Sequence, residues 1–307
     1  MPNGNNNDSL TIDPRLLEQL KGIELKSRFL VRGFYENRHR TRDFGASNEF
    51  IEHRDYQQGD EIRRIDWRVF ARTHRLYVKR FEMEANMRVH FILDTSDSMR
   101  VPAEDHRLTK LELASTIVGA VAMMAVAQQD SVGLFCIGDR IEDAIPARQG
   151  MRHLASIFQR LGMPRGRGGG NFGQIAWEAM TRIGRRGVTF VLTDALDTLD
   201  PLFEALKGLM VREQDVTLLQ VLDETELTFP FDKMTEFRHP ETGRRIMGDP
   251  LALRERYLAR LEAHQERIRA FCRQHGVDYV RVHNGDDLIA LMSSHFLQRL
   301  TRRSIRC

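Results

Sequence analysis

The chain has 307 residues, 41 % hydrophobic and 29 % charged, with 46 Lys and Arg against 43 Asp and Glu for a formal charge of +3. A chain of this size can hide about 75 % of its unfolded surface, and the composition excludes a fibrous or largely disordered protein. The charges are mixed along the sequence and no single-sign field points to nucleic acid. The clusters Arg165 and Arg167, Arg185 and Arg186, and Arg299, Arg302, Arg303 and Arg306 lack interleaved aromatics and read as solvated faces.

Three cysteines, Cys136, Cys272 and Cys307, have no metal-ligand spacing and fit a reducing compartment. Residues 1–13, "MPNGNNNDSLTID", read as a flexible polar tail and lack the basic start and apolar stretch of a secretory signal. The longest apolar run, "STIVGAVAMMAVA", spans 115–127, short of the roughly 20 residues that cross a bilayer. A buried helix in a soluble, cytoplasmic protein is the expectation.

Residues 14–85 form a first segment. Leu16, Leu17, Leu20, Ile23, Leu25, Leu30 and Val31 among charges predict one or two short helices, followed by the basic loop "RHRTRDFGASNEF". In "RRIDWRVFARTHRLYVKRFEME" the alternation of Ile65, Trp67 and Val69, then Leu76 and Val78, predicts a β-hairpin turning at "RTHR", where His74 takes a position easier for glycine.

From residue 86 to the end the pattern is strand, helix, strand, helix. "MRVHFILD" is a strand and "RLTKLELASTIVGAVAMMAVAQQ" a long helix whose Gly119 and alanines allow close packing against a sheet. "SVGLFCIGD" and "RIEDAIPA" pair across Gly138 and Asp139, and "GMRHLASIFQRLG" is a helix between glycines. A loop, "MPRGRGGGNFG", leads to a helix over 174–185, the strand "GVTFVLTD", a helix over 199–212 and the strand "DVTLLQVLD". A polar insert at about 226–249 turns at Glu241-Thr242-Gly243. The next helix is capped by Asp249, starts at Pro250 and ends at Gly276, before "VDYVRV" and a last helix. Such alternation, with near-continuous apolar strands, predicts an α/β fold with a mostly parallel sheet covered by helices on both faces.

In open sheets of this kind ligands gather beyond the carboxyl ends of the strands, at the switch point of strand order. Asp94 follows "HFIL" and Asp194 follows "FVLT", so both acids leave their strands at one edge. With Ser96 and Ser98 they make a hard, oxygen-only, doubly negative set, suited to Mg²⁺ with a position left open for an outside carboxylate. A local reading stands beside it, in which Asp94 caps the following backbone turn through its side chain.

The spacing Asp94, Ser96, Ser98 after a strand resembles the metal-ion-dependent adhesion site of von Willebrand factor A domains. Those domains add a threonine from a second loop; Gly170 stands there in "GGGNF", and Asn171 offers an amide oxygen instead. The resemblance therefore implies a weak or rearranged Mg²⁺ site, with a metal-free scaffold as the other outcome. Upstream, Gly45, Ser47, Glu49 and Phe50, then Arg54, Tyr56, Gly59, Asp60 and Arg63, then Ile65-Asp66-Trp67 and Ala71-Arg72, resemble the bacterial family of unknown function numbered fifty-eight. Members join this segment to a von Willebrand A-like (Rossmann-like) domain. Arg54, Tyr56, Asp60, Arg63, Asp66, Trp67 and Arg72 then read as a structural clasp or a partner-binding surface. The family resemblance implies a MoxR-type AAA+ ATPase as partner and a role as a non-enzymatic adaptor in chaperone-like assembly or maturation. Many relatives carry membrane helices before this region, and this chain looks like the short form without them.

A rival reading takes Gly168, Gly170 and Gly173 as G-x-G-x-x-G of a nucleotide- or dinucleotide-binding enzyme, but that motif needs a strand immediately before its first glycine. "ILDTSDS" also resembles an aspartic-protease strand end, of which no second copy occurs, and a phosphatase Asp-x-Asp whose second acid is replaced by Ser96. None of the eleven histidines sits in a metal motif. No catalytic residue is assigned.

Overall fold

The computed structural model describes residues 22–40, 52–56, 67–80, 87–101, 107–163 and 171–292. The chain divides into a larger unit, residues 1–38 and 87–307, and a smaller one, residues 39–86.

The larger unit is built on a six-stranded sheet of β3 (Arg88–Asp94), β4 (Ser131–Ile137), β5 (Ile141–Arg148), β6 (Gly187–Thr193), β7 (Gln214–Leu222) and β10 (Asp278–His283). Its spatial order is β10-β7-β6-β3-β4-β5, parallel throughout except for β5, which runs antiparallel to β4 at one edge. The chain builds outward from β3 through β4 and β5, then crosses to β6 on the other side of β3. Strand order therefore reverses between β3 and β6, which places the switch point at Asp94 and Asp194.

Alternate residues of each strand feed opposite cores, as a pleat of period two requires. Val89, Phe91 and Leu93, Val132, Leu134 and Cys136, and Val188, Phe190 and Leu192 face one side, where they meet α3 (Lys110–Ala127) and α4 (Met151–Leu161). Ile92, Phe135, Ile137, Val191 and Leu218 face the other, under α5 (Phe172–Thr181), α6 (Leu199–Val211) and α8 (Pro250–His275). Phe91 and Phe190 stack across β3 and β6 with centroids 5.4 Å apart. Helix α3 is apolar enough over 18 residues to span a membrane, yet 78 % of it is buried within the fold, as expected of a core helix.

Three expectations are revised. Helix α1 (Ile23–Arg40) is one continuous helix that packs in the larger unit: Leu30 joins the α3 core, and the Ser27 hydroxyl donates to the Thr116 carbonyl at 3.0 Å. The tight approach at Gly119 is accordingly to α1 and α4 rather than to the sheet, since a Cβ there would lie 2.3 Å from Ser27 Oγ and 2.7 Å from Phe158 Cε1. The hairpin at 65–78 is replaced by helix α2 (Trp67–Thr73), and β2 (Tyr77–Arg80) pairs antiparallel with the distant β1 (Glu52–Asp55). Trp67, Phe70 and His74 follow i, i+3 and i, i+4 spacing, with ring centroids 6.0 and 6.1 Å apart, contacts that a strand would not make. His74 ends α2 in the left-handed region at φ 53°. The short helix α7 (Glu224–Thr228), held by an Asp223 and Glu226 capping box, had no sequence prediction of its own.

The insert forms β8 (Thr235–Arg238) and β9 (Arg245–Gly248), paired antiparallel, with Gly243 at φ 68° in the turn. Phe229, Phe231, Phe237 and Tyr257 pack together at its base, and Arg254 donates to the Phe229 and Phe231 carbonyls. Asp249 caps α8 and Gly276 ends it in the left-handed region, as the sequence predicts.

Candidate metal site at the strand ends

Asp94 and Asp194 lie at the same edge of the sheet, as their sequence contexts predict. Because β3 and β6 are adjacent and in register, with Leu93 opposite Leu192, the two acids leave the sheet side by side. The Thr193 hydroxyl donates to Asp94 Oδ2 at 2.6 Å, and the Ser96 N–H donates to Asp94 Oδ1 at 3.0 Å. The second bond is the turn-capping contact read from the sequence. With the Thr193 bond and a further contact from the Ser96 hydroxyl, both oxygens of Asp94 already accept hydrogen bonds.

Ser96 and Ser98 stand at the start of a single 3₁₀ turn, Asp97–Arg100. The two hydroxyls are hydrogen-bonded to each other, with their Oγ atoms 3.0 Å apart. Neighbouring ligands of an octahedral Mg²⁺, with bonds of about 2.0–2.1 Å, are separated by about 2.9 Å, so the hydroxyl pair has the spacing of two adjacent corners. The turn is pinned from three sides: the Thr95 N–H donates to the Ile137 carbonyl at 2.7 Å, the Thr95 hydroxyl to Glu142 Oε2 at 2.9 Å, and Arg100 to the Thr95 carbonyl at 2.7 Å.

Burial and the neighbouring Asp194 push the Asp94 carboxyl up to about 7, against the opposing hydrogen bonds from Thr193 and Ser96. Asp94 therefore keeps its proton up to near neutrality. Asp197, raised by burial and then by Asp194, lies in the same field. So does Glu241 of the β8–β9 turn, raised by burial and then by Asp197. The rim is acidic beyond the two predicted residues.

Thr193 and Lys110 were missed by sequence reasoning. Thr193 supplies a hydroxyl directly to Asp94. Lys110, the first residue of α3, is buried with its Nζ 2.9 Å from Asp194 Oδ2 and 2.6 Å from Glu226 Oε1. Burial disfavours its charge, but Asp194 and Glu226 outweigh burial and hold the ammonium above its ordinary range. The Thr109 capping box fixes the start of α3 and so the origin of this side chain. Sequence offered no signal for these contacts, because the partners of Lys110 lie 84 and 116 positions away.

Asn171 is placed at the N-cap of α5, where its Oδ1 accepts from the Gln174 N–H at 3.2 Å and its Nδ2 donates to the Thr198 hydroxyl at 3.1 Å. Its amide oxygen thus caps the start of α5. Residues 164–170, including Gly168 and Gly170, lie outside the described residues. The element before that loop is helix α4, and Gly173 serves close packing: a Cβ there would meet the Leu202 nitrogen at 2.3 Å. Among the described residues no group of three His, Cys, Asp or Glu side chains gathers to hold a metal, so any cation here relies on serine hydroxyls.

Of the expected clasp, Asp60, Arg63 and Asp66, and the side chain of Arg54, lie outside what is described. Tyr56 is half-buried with its N–H donating to the Leu76 carbonyl, and Trp67 and Arg72 are exposed.

Residues 52–267 match the family described as "Protein of unknown function DUF58". Uncharacterized proteins of Mycobacterium bovis and Mycobacterium tuberculosis are 25 % identical over 284 residues, covering 91 % of this chain and 88 % of theirs. Among solved structures, the conserved hypothetical protein BatB from Bacteroides thetaiotaomicron is 20 % identical at a TM-score of 0.43, over 69 % of this chain and 98 % of that one. An aerotolerance-related membrane protein from Bacteroides fragilis is 18 % identical at a TM-score of 0.46 with the same coverages.

Proposed function

The chain belongs to the DUF58 family, and we propose that it is a non-enzymatic adaptor whose von Willebrand A-like domain binds another protein through an incomplete metal-ion-dependent adhesion site. The observation that carries the reading is the pair of serine hydroxyls 3.0 Å apart beside Asp94, at the point where strand order reverses. Ser96, Ser98 and Asp94 would hold Mg²⁺, with Asp194 behind them. When bound, the ion supplies an electrophilic position for a carboxylate of the partner. The chain's own residues position the hydroxyls through the pinned turn, hold Asp94 in place through Thr193, and surround the opening with acids that attract a cation.

The partner in this reading is a MoxR-type AAA+ ATPase acting in the cytoplasm on the assembly or maturation of client proteins, as the family resemblance implies. Calorimetry with Mg²⁺ and Mn²⁺ tests the site. Weak binding to the wild type that disappears in Asp94→Ala supports it, and identical heats for the two proteins overturn it. Pull-down of a purified MoxR-type ATPase, with Mg²⁺ against chelator, tests the partner.

A further inference from the structure

We infer that Lys110 is a tethered counter-cation that sets how weakly the strand-end site holds a divalent ion, a role that rests on the metal reading of Asp94, Ser96 and Ser98. Its side chain is 3 % exposed and bridges two carboxylates from separate elements, Asp194 after β6 and Glu226 on α7. The Thr109 cap anchors the backbone at its root, and Asp194 is fixed in turn by its own contacts. Asp194 Oδ1 accepts from the Leu196 N–H at 3.3 Å, its carbonyl from Gln220 Nε2 at 3.0 Å, and the Ala195 carbonyl from His264 Nε2 at 2.6 Å. The ammonium is part of the built structure.

Two consequences follow from charge and geometry. Asp194 Oδ2 is already engaged by a cation and would have to exchange it before coordinating another. The ammonium also opposes any divalent ion drawn to the neighbouring Asp94, and like charges repel strongly where water is excluded. The site then offers one carboxylate that already accepts from Thr193 and Ser96, and two neutral hydroxyls bonded to each other, and low, readily reversible affinity is built in. A plain staple joining α3, β6 and α7 would use the same contacts but would predict a looser metal site when broken.

The test is Mn²⁺ titration of the full chain by calorimetry, with circular dichroism as the folding check. Lys110→Met removes the charge, and we expect Mn²⁺ to bind about tenfold more tightly, with Lys110→Arg staying within about threefold of the wild type. Glu226→Gln leaves the ammonium shared with one carboxylate fewer, and we expect binding about threefold weaker; it also serves if Lys110→Met does not fold. Unchanged or weaker binding in Lys110→Met, or tighter binding in Glu226→Gln, overturns the role of Lys110 while Asp94→Ala still abolishes binding. No Mn²⁺ binding in either the wild type or Lys110→Met instead overturns the metal reading, and this inference with it.

Discussion

The Thr193 hydroxyl donates to Asp94 Oδ2 at 2.6 Å, joining the last residue of β6 to the last residue of β3 across the switch point. Both side chains are almost wholly buried, so this bond is the direct link between the two strand ends that build the site. Thr193→Val keeps the shape and removes the donor. A hydrogen bond to an ionised group contributes about 1.5–3 kcal/mol, so urea denaturation at pH 8 should show a loss of that size. At pH 5, where Asp94 is protonated, the loss should shrink. Equal losses at both pH values would mean that the bond does not discriminate the charged form.

Asp94 also gives the free protein an unusual pH response. Its folded carboxyl titrates at about 7 against an ordinary 3.8. Between those values the folded state keeps a proton that the unfolded state has released, so stability falls as pH rises through this window. The contribution is on the order of 4 kcal/mol. In chelator, Asp94→Asn should remove this decline and leave the protein more stable than wild type at pH 8. Guanidinium titrations from pH 4 to 8 check it. A variant less stable than wild type at pH 8 would show that the buried charge is not a burden.

His90 works in the opposite sense. It lies buried on β3, its Nδ1 has no partner among the described residues, and burial with help from Arg88 lowers it from 6.5 to about 4. As pH falls from 6.5 toward 4 the unfolded chain takes up a proton that the folded chain refuses, and stability drops by about 3 kcal/mol. In the wild type this acid loss overlaps the acid gain from Asp94, and the two offset each other over much of the range. His90→Gln should expose the Asp94 trend alone, with stability rising on acidification from pH 7 to pH 4.5. Asp94→Asn should expose the acid loss. A His90→Gln profile parallel to that of the wild type would rule this compensation out.

The sheet and its site edge were legible because strand periodicity is a local signal: "HFIL" and "FVLT" mark buried strands, and an acid after each falls at the same end of a parallel sheet. The capping of α8 was equally readable, since Asp249, Pro250 and Gly276 act within a few residues of themselves. Helix α2 was not, because Ile65, Trp67 and Val69 satisfy a two-residue period while Trp67, Phe70 and His74 satisfy a helical one, and the arbiter is the distant strand β1. Lys110 illustrates the same limit at the site. At the start of an apolar helix it reads as a solvated N-terminal lysine, and its burial depends on acids delivered by β6 and α7.

Gly119 tests how α1 is seated on the larger unit. Alanine in a helix interior normally gains about 1 kcal/mol over glycine. Here its Cβ would lie 2.3 Å from Ser27 Oγ and 2.7 Å from Phe158 Cε1, distances at which the side chains of α1 and α4, or the helices themselves, must shift. Gly119→Ala should therefore destabilise the protein by about 1–3 kcal/mol, the usual cost of overpacking. Ser27→Ala removes the nearest atom, at the loss of the bond to the Thr116 carbonyl, and leaves Ser27 Cβ at 3.1 Å. The double variant should then be more stable than the sum of the two single losses by more than about 0.5 kcal/mol, the margin for independent sites. The Phe158 contact is untouched by Ser27→Ala, so recovery should be partial. Additive losses in urea denaturation would place the strain at Phe158 alone and show that Ser27 does not set how closely α1 approaches α3.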